Sequence, residues 1–277
     1  MRHSFFSLSF SLSRPFSPAM RATSPWASAL LAALLLAGCG GGGSETQIPP
    51  VTPEAPDTPQ PAPTPALAAL QGIWQSAAGD ATSTSAIVLP DGRLWAVQVS
   101  GTGGSTTTRV LKATLAAQGN GYSAAGKSYT LGGSTSAPAT APVVASVVEK
   151  TRLDVRVGTD ASAETLSLAW QGRYDTSASL AGFAGAWSAT LGPGTVRWNI
   201  DGQGGITGVR TTGCTYTGQL ALRPERKAVV DATVQEDCAG VRTPLDGVAT
   251  LQSESGRMSM VLTTADEAQA VVLGLAR

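Results

Sequence analysis

From Leu67 onward the apolar residues come in short runs joined mostly by Gly, Ser, Thr or Asp, and this punctuation restricts the fold more than any other feature. With 32 glycines and 17 prolines, the chain is poor material for helices and good material for short strands separated by turns. Ile87-Val88-Leu89-Pro90, then Asp91-Gly92, then Arg93-Leu94-Trp95-Ala96-Val97 reads as a hairpin, because Asp-Gly supplies the positive φ angles of a tight turn. Further strands are expected at residues 107–115, 143–149, 153–157 and 164–170, and later at 214–222, 227–235, 245–251, 257–262 and 270–275.

A second half restates the first. Leu70-Gln71-Gly72-Ile73-Trp74 precedes the Asp91-Gly92 hairpin, and Gly182-Phe183-Ala184-Gly185-Ala186-Trp187 precedes Trp198-Asn199-Ile200-Asp201-Gly202, at a spacing of about 110 residues. The expected fold class is all-β: an antiparallel β-barrel or sandwich, as two similar β units in tandem after a disordered N-terminal segment. A single larger barrel closed by both halves is the alternative. The domain division expected is a leader at 1–38, a tether at 39–66, a first β unit at 67–178 and a second at 179–277.

The leader carries an address. Residues 27–37 form a short run dominated by Ala and Leu, preceded by Arg21 and followed by Gly38-Cys39-Gly40. Such a run is too short to span a bilayer and suits a signal-peptide core. Leu36-Ala37-Gly38-Cys39 resembles the lipobox of bacterial lipoproteins. That resemblance implies cleavage before Cys39, which becomes a diacylglycerol-bearing N-terminus with several fatty acyl chains such as palmitate, and, with Gly40 following, sorting to the outer membrane. The anchored protein would face the periplasm or the cell surface. Met20 opens a stretch of ordinary lipoprotein-leader length and is read as the start. Several acyl chains at ~0.8 kcal/mol per buried methylene anchor a protein without a transmembrane helix. Eight prolines between Pro49 and Pro65 then make a spacer, reaching roughly 50 Å if fully extended in polyproline II.

Removing the leader's Arg2, Arg14 and Arg21 from 19 basic residues leaves 16, against 19 acidic ones. This slightly acidic product has no electrostatic footprint for nucleic acid. The one histidine, His3, leaves with the leader. Ser-His and Cys-His nucleophiles and histidine zinc sites are therefore outside its repertoire, and no cofactor, metal site or catalytic residue is assigned.

With Cys39 lipidated, Cys214 and Cys238 are the two cysteines left, in an exported and oxidising compartment where structural disulfides persist. They sit symmetrically about Arg226. A hairpin of strands 214–222 and 230–238 turning near Pro224-Glu225-Arg226 places them opposite each other, at about 4.5 Å between α-carbons for a non-hydrogen-bonded pair. The Gly-Cys-x-Tyr-x-Gly element in this half resembles the small β-barrel or sandwich domains of envelope lipoproteins, including lysozyme- and protease-inhibitor types and the lobes of transferrin-binding lipoproteins. The likeness is architectural and carries over no functional residue.

Other constellations fail on context. Gly121-Tyr122-Ser123-Ala124-Ala125-Gly126-Lys127-Ser128 satisfies the phosphate-loop pattern, but Tyr129-Thr130-Leu131-Gly132-Gly133 cannot supply the helix that such a loop needs. The segment is expected to be strand-turn-strand, with no nucleotide bound. Asp175-Thr176-Ser177 occurs once and lacks the glycine of an aspartic-protease element. Lys127 and Ser128, Glu236 and Asp237, and Asp266 and Glu267 are sequence neighbours, whose side chains point to opposite faces of a strand, and the acids are expected at solvated edges. Trp74, Trp95, Trp170, Trp187 and Trp198 are expected as core anchors.

The functional expectation is an outer-membrane, lipid-anchored module, non-enzymatic and inhibitor-like, whose partners are the membrane through its anchor and an envelope protein or ligand. A carboxylate-only envelope hydrolase is the alternative, and it requires two acids converging in one cleft.

Overall fold

Strands dictated by short alternating runs have edges, and a chain of consecutive hairpins removes its edges by curling until the last strand meets the first. In this computed structural model, which describes residues 66–101, 106–132, 137–192 and 194–277, that closure happens twice. Cys39, the leader and the tether up to residue 65 lie outside the described residues. The first barrel runs β1 (Gly72–Gln75), β2 (Thr82–Val88), β3 (Arg93–Ser100), β4 (Thr107–Thr114), β5 (Ala116–Gln118), β6 (Gly121–Leu131), β7 (Ala139–Val148), β8 (Arg152–Val157) and β9 (Glu164–Trp170). Each strand is antiparallel to its neighbours, β4 and β5 both pair with β6, and Trp74 opposite Trp170 joins β1 to β9.

The second barrel runs β10 (Gly185–Leu191), β11 (Gly194–Ile200), β12 (Gly205–Arg210), β13 (Cys214–Leu222), β14 (Val229–Cys238), β15 (Val241–Gln252), β16 (Arg257–Thr264) and β17 (Ala270–Ala276). It closes where Ser188 faces Ala276. The protein is thus two eight-stranded antiparallel barrels in tandem, neither a sandwich nor one large barrel.

The repeat is a repeat of parts. Each barrel is entered through a single helical turn, Leu67–Leu70 or Leu180–Phe183. In each, the following tryptophan donates its indole N–H to the carbonyl four residues back: Trp74 to Leu70 at 3.0 Å, Trp187 to Phe183 at 2.7 Å. This hydrogen bond lets a large apolar ring be buried without orphaning its one polar atom. Each second hairpin also turns on a glycine whose carbonyl accepts from a leucine two strands on, Leu115 to Gly92 at 2.9 Å and Leu220 to Gly204 at 2.8 Å.

Two turn expectations need correction. Asp91-Gly92 makes a three-residue loop with Pro90, in which Gly92 alone has positive φ (+82°). In the second barrel the equivalent glycine is Gly204 (φ +87°), two residues after Asp201-Gly202. A Cβ at Gly92 or Gly204 would collide with the facing leucine carbonyl. The segment from Gly121 to Ser128 is one uninterrupted strand, not strand-turn-strand. Gly126 serves the packing there, since a Cβ would stand 2.6 Å from Val143 Cγ2.

Alternation sorts the apolar side chains into three cores. Trp74, Leu94, Leu111, Tyr122, Val143 and Leu168 help to fill the first barrel; Trp187, Trp198, Leu220, Met260 and Leu275 help to fill the second. The third core lies between them: Ile73, Trp95, Val110 and Tyr129 from the outer face of the first barrel meet Val229, Val248, Val261 and Val272 from the second. β16 is accordingly buried on both faces over its second half, which explains the unbroken run of buried residues from Met260 to Thr264. All the described residues fall in one compact unit. No helix among them is long and apolar enough to cross a membrane.

Ion pairs rim the shared core. Lys112 and Lys127, directly opposite each other on β4 and β6, both reach Glu267 on the β16–β17 turn, at 3.0 and 2.8 Å. Asp175, in the connection between barrels, takes Lys150 at 2.7 Å and Lys227 at 2.9 Å.

Candidate functional site

The helical turn Leu180–Phe183 covers one end of the second barrel, where Leu180 approaches Gly204 and Gly182 approaches Leu251. The other end leads to a cavity of about 150 Å³. Its walls come from the inward parity of several strands: Leu191 on β10, Val196 and Trp198 on β11, Tyr216 on β13, Val234 and Glu236 on β14, Leu245 on β15, Leu262 on β16 and Leu273 on β17. Tyr129, Thr130, Leu131 and Gly132 of the first barrel complete the rim.

Polar chemistry gathers at this mouth. The Tyr216 hydroxyl donates to Glu236 Oε1 at 2.6 Å. Burial, reinforced by that carboxylate, pushes the phenol's pKa up, so Tyr216 stays a neutral donor. The rings of Tyr216 and Trp198 lie 5.5 Å apart, tilted by 57°. Trp198 is 2% exposed, and its buried Nε1 has no hydrogen-bond partner. Arg210 donates to the Leu191 carbonyl at 2.8 Å on the neighbouring lip.

Beside them Cys214 and Cys238 are joined in a disulfide, 4.3 Å apart at Cα. They are directly opposed in the β13–β14 register, and that register puts Tyr216 opposite Glu236 one inward step deeper. Both sulfurs and a Glu236 oxygen lie within 4.8 Å of one another. The sulfurs are bonded to each other, so they offer no thiolate to a metal ion.

Of the other singled-out residues, Glu236 and Trp198 line this mouth and the rest do not. Glu236 points inward and Asp237 outward, where Asp237 accepts from Gly240 N and pairs with Arg242 at 3.3 Å. Neither Glu236 nor Glu267 is the solvated edge expected of it: the first is half-buried beside Tyr216, and the second is clamped by two lysines. Asp266 ties up its own turn by accepting from Thr264 Oγ1 and Ala268 N. Lys127 serves the Glu267 clamp, and Asp175 belongs to its two lysines. Trp74, Trp95, Trp187 and Trp198 are buried, whereas Trp170 is half-buried with Lys150 over its ring at 5.3 Å.

Sequence reasoning assigned no role to Tyr216 or to Glu236 by itself. The signal was present in the disulfide pairing, because two opposed cysteines on antiparallel strands fix every other facing pair between them. No protein-family model, no curated protein and no solved structure matches this chain, and the reading of the site rests on its own geometry.

Proposed function

We propose that this protein is a lipid-anchored, non-enzymatic binding module of the bacterial envelope, held by Cys39 on its proline-rich tether, with its ligand site at the mouth of the second barrel. The observation that carries this reading is the cavity itself. A closed barrel otherwise filled by its own side chains retains about 150 Å³ at the end away from its helical cap, lined mainly by apolar groups, with Thr130, Thr243, Tyr216, Gln269 and one acid, Glu236, among them. Small eight-stranded barrels either fill completely or hold one small ligand, and a space of about 150 Å³ is large enough for a single aromatic ring. The hydrolase alternative is disfavoured because the lining supplies one carboxylate, Glu236, where glycoside-type chemistry needs two about 5–10 Å apart.

The test is a thermal-shift screen of the full chain against one-ring and short-chain compounds, with Leu273→Trp as the filled-cavity control. Ligands that raise the melting temperature of the native protein and leave the variant unmoved support the site. Hits that shift both alike place binding elsewhere. Mass spectrometry of the N-terminal peptide from the native host checks the anchor, and an unmodified Cys39 would remove it.

A further inference from the structure

Resting on that reading of the second barrel, we infer that the cavity selects a small organic ammonium ion, a one-ring or short-chain amine whose apolar body lies against the barrel wall and whose nitrogen meets Glu236. Among the residues lining the cavity, Glu236 is the one that carries a charge. At a half-buried carboxylate beside an apolar space an anionic guest is repelled, a neutral donor gains an ordinary hydrogen bond, and a cation gains a stronger, charge-assisted one.

Position supports the same polarity. On β14 the inward series runs Val234, Glu236, Cys238 toward the mouth, so a guest entering apolar end first brings its head to the level of the carboxylate. Hydrogen-bond supply agrees. Tyr216 has committed its hydroxyl hydrogen to Glu236, so at this point the wall presents oxygen acceptors and asks the guest for donors. An ammonium group supplies three. Tyr216 and Trp198 also line the cavity, and aromatic rings are surfaces on which a cation is stabilised.

The nearby charges do not cancel this bias from within the cavity. Arg210 keeps its charge and is felt at Tyr216, so it reduces the preference for a cation, but it lies outside the lining and spends an N–H on the Leu191 carbonyl. Lys112 and Lys127 at the rim are paired with Glu267, and Asp266 and Asp237 are tied to their own turns.

The experiment is calorimetric titration of the full chain at pH 7 with three molecules of one shape: benzylammonium, benzyl alcohol and benzoate. Benzylammonium should bind about ten-fold tighter than benzyl alcohol, the usual worth of a charge-assisted hydrogen bond, with benzoate weakest. Glu236→Gln should bring benzylammonium to within about two-fold of the alcohol, because the charge-assisted part of the hydrogen bond is lost. Equal binding of all three, or benzoate tightest, overturns the ammonium preference while the cavity stands as a site. No binding by any of the three at millimolar concentration, with Leu273→Trp behaving identically, overturns the site itself.

Discussion

The two barrels share topology, entry turn, indole cap and glycine-leucine lock, yet they treat their mouths differently. In the first, Glu164 at the start of β9 accepts from Gln98 of β3 at 2.5 Å and pairs with Arg109 of β4 at 3.1 Å. Three strands are thus tied across the opening by a neutralised acid. In the second, the corresponding end keeps a cavity, and its acid, Glu236, takes its hydrogen bond from the phenol of Tyr216, a neutral group. The same scaffold ties its mouth shut in one copy and keeps an open cavity in the other. What separates them is a handful of inward side chains at one end, because the strands, caps and register leave those positions free to vary without disturbing closure.

The comparison is most exposed at the caps. If Trp74 and Trp187 are equivalent, Trp74→Ala and Trp187→Ala should each cost about 3–5 kcal/mol in urea unfolding of the full chain. A cost below about 1 kcal/mol at either would mean that the shared hydrogen bond does not mark a shared role.

A second prediction concerns a part only one barrel has. The Cys214–Cys238 bridge closes a loop of separation 24, and its loss by Cys214→Ser with Cys238→Ser should cost about 3 kcal/mol. Hydrogen exchange should then quicken in β13 and β14 while the first barrel keeps its protection. Two reactive thiols in denatured, unreduced protein made by export would remove the staple altogether.

The smallest effect belongs to the clamp between the barrels. Glu267→Gln should cost less than about 1 kcal/mol, since a side chain 36% exposed is screened by solvent. Hydrogen bonds from Lys127 and Lys112 hold the Glu267 carboxyl below its ordinary 4.5. The unfolded chain therefore takes up its proton first: the stabilisation is complete above that value and disappears as pH falls through the lower folded one. The gap between wild type and Glu267→Gln should close over the same acid window. A gap that persists in strong acid would assign the loss to packing.

How much of this was legible follows from how local each signal is. The disulfide hairpin was readable because its register is set by two residues and a turn, and β13 and β14 place Cys214 opposite Cys238 about Arg226. Barrel closure was not, because it rests on a few pairs between distant strands, Trp74 with Trp170 and Ser188 with Ala276. Gly126 looked like a turn because a glycine required for interior space and one required for backbone conformation are written with the same letter. The shared core was hidden for a related reason. Val261 and Leu262 are both apolar, and nothing in the pair says that one faces a neighbouring barrel and the other a cavity.

That last pair bears on any attempt to dissect the protein. Cutting the connection near Ser177 would leave Val229, Val248, Val261 and Val272 facing water on one fragment, each losing up to about 1.5–3 kcal/mol of burial, and would strip Tyr129 to Gly132 from the cavity's rim. A fragment spanning only the second half would carry a complete strand order with a sticky flank and a cavity missing part of its lip. The two barrels can be counted separately, but they can be purified only together.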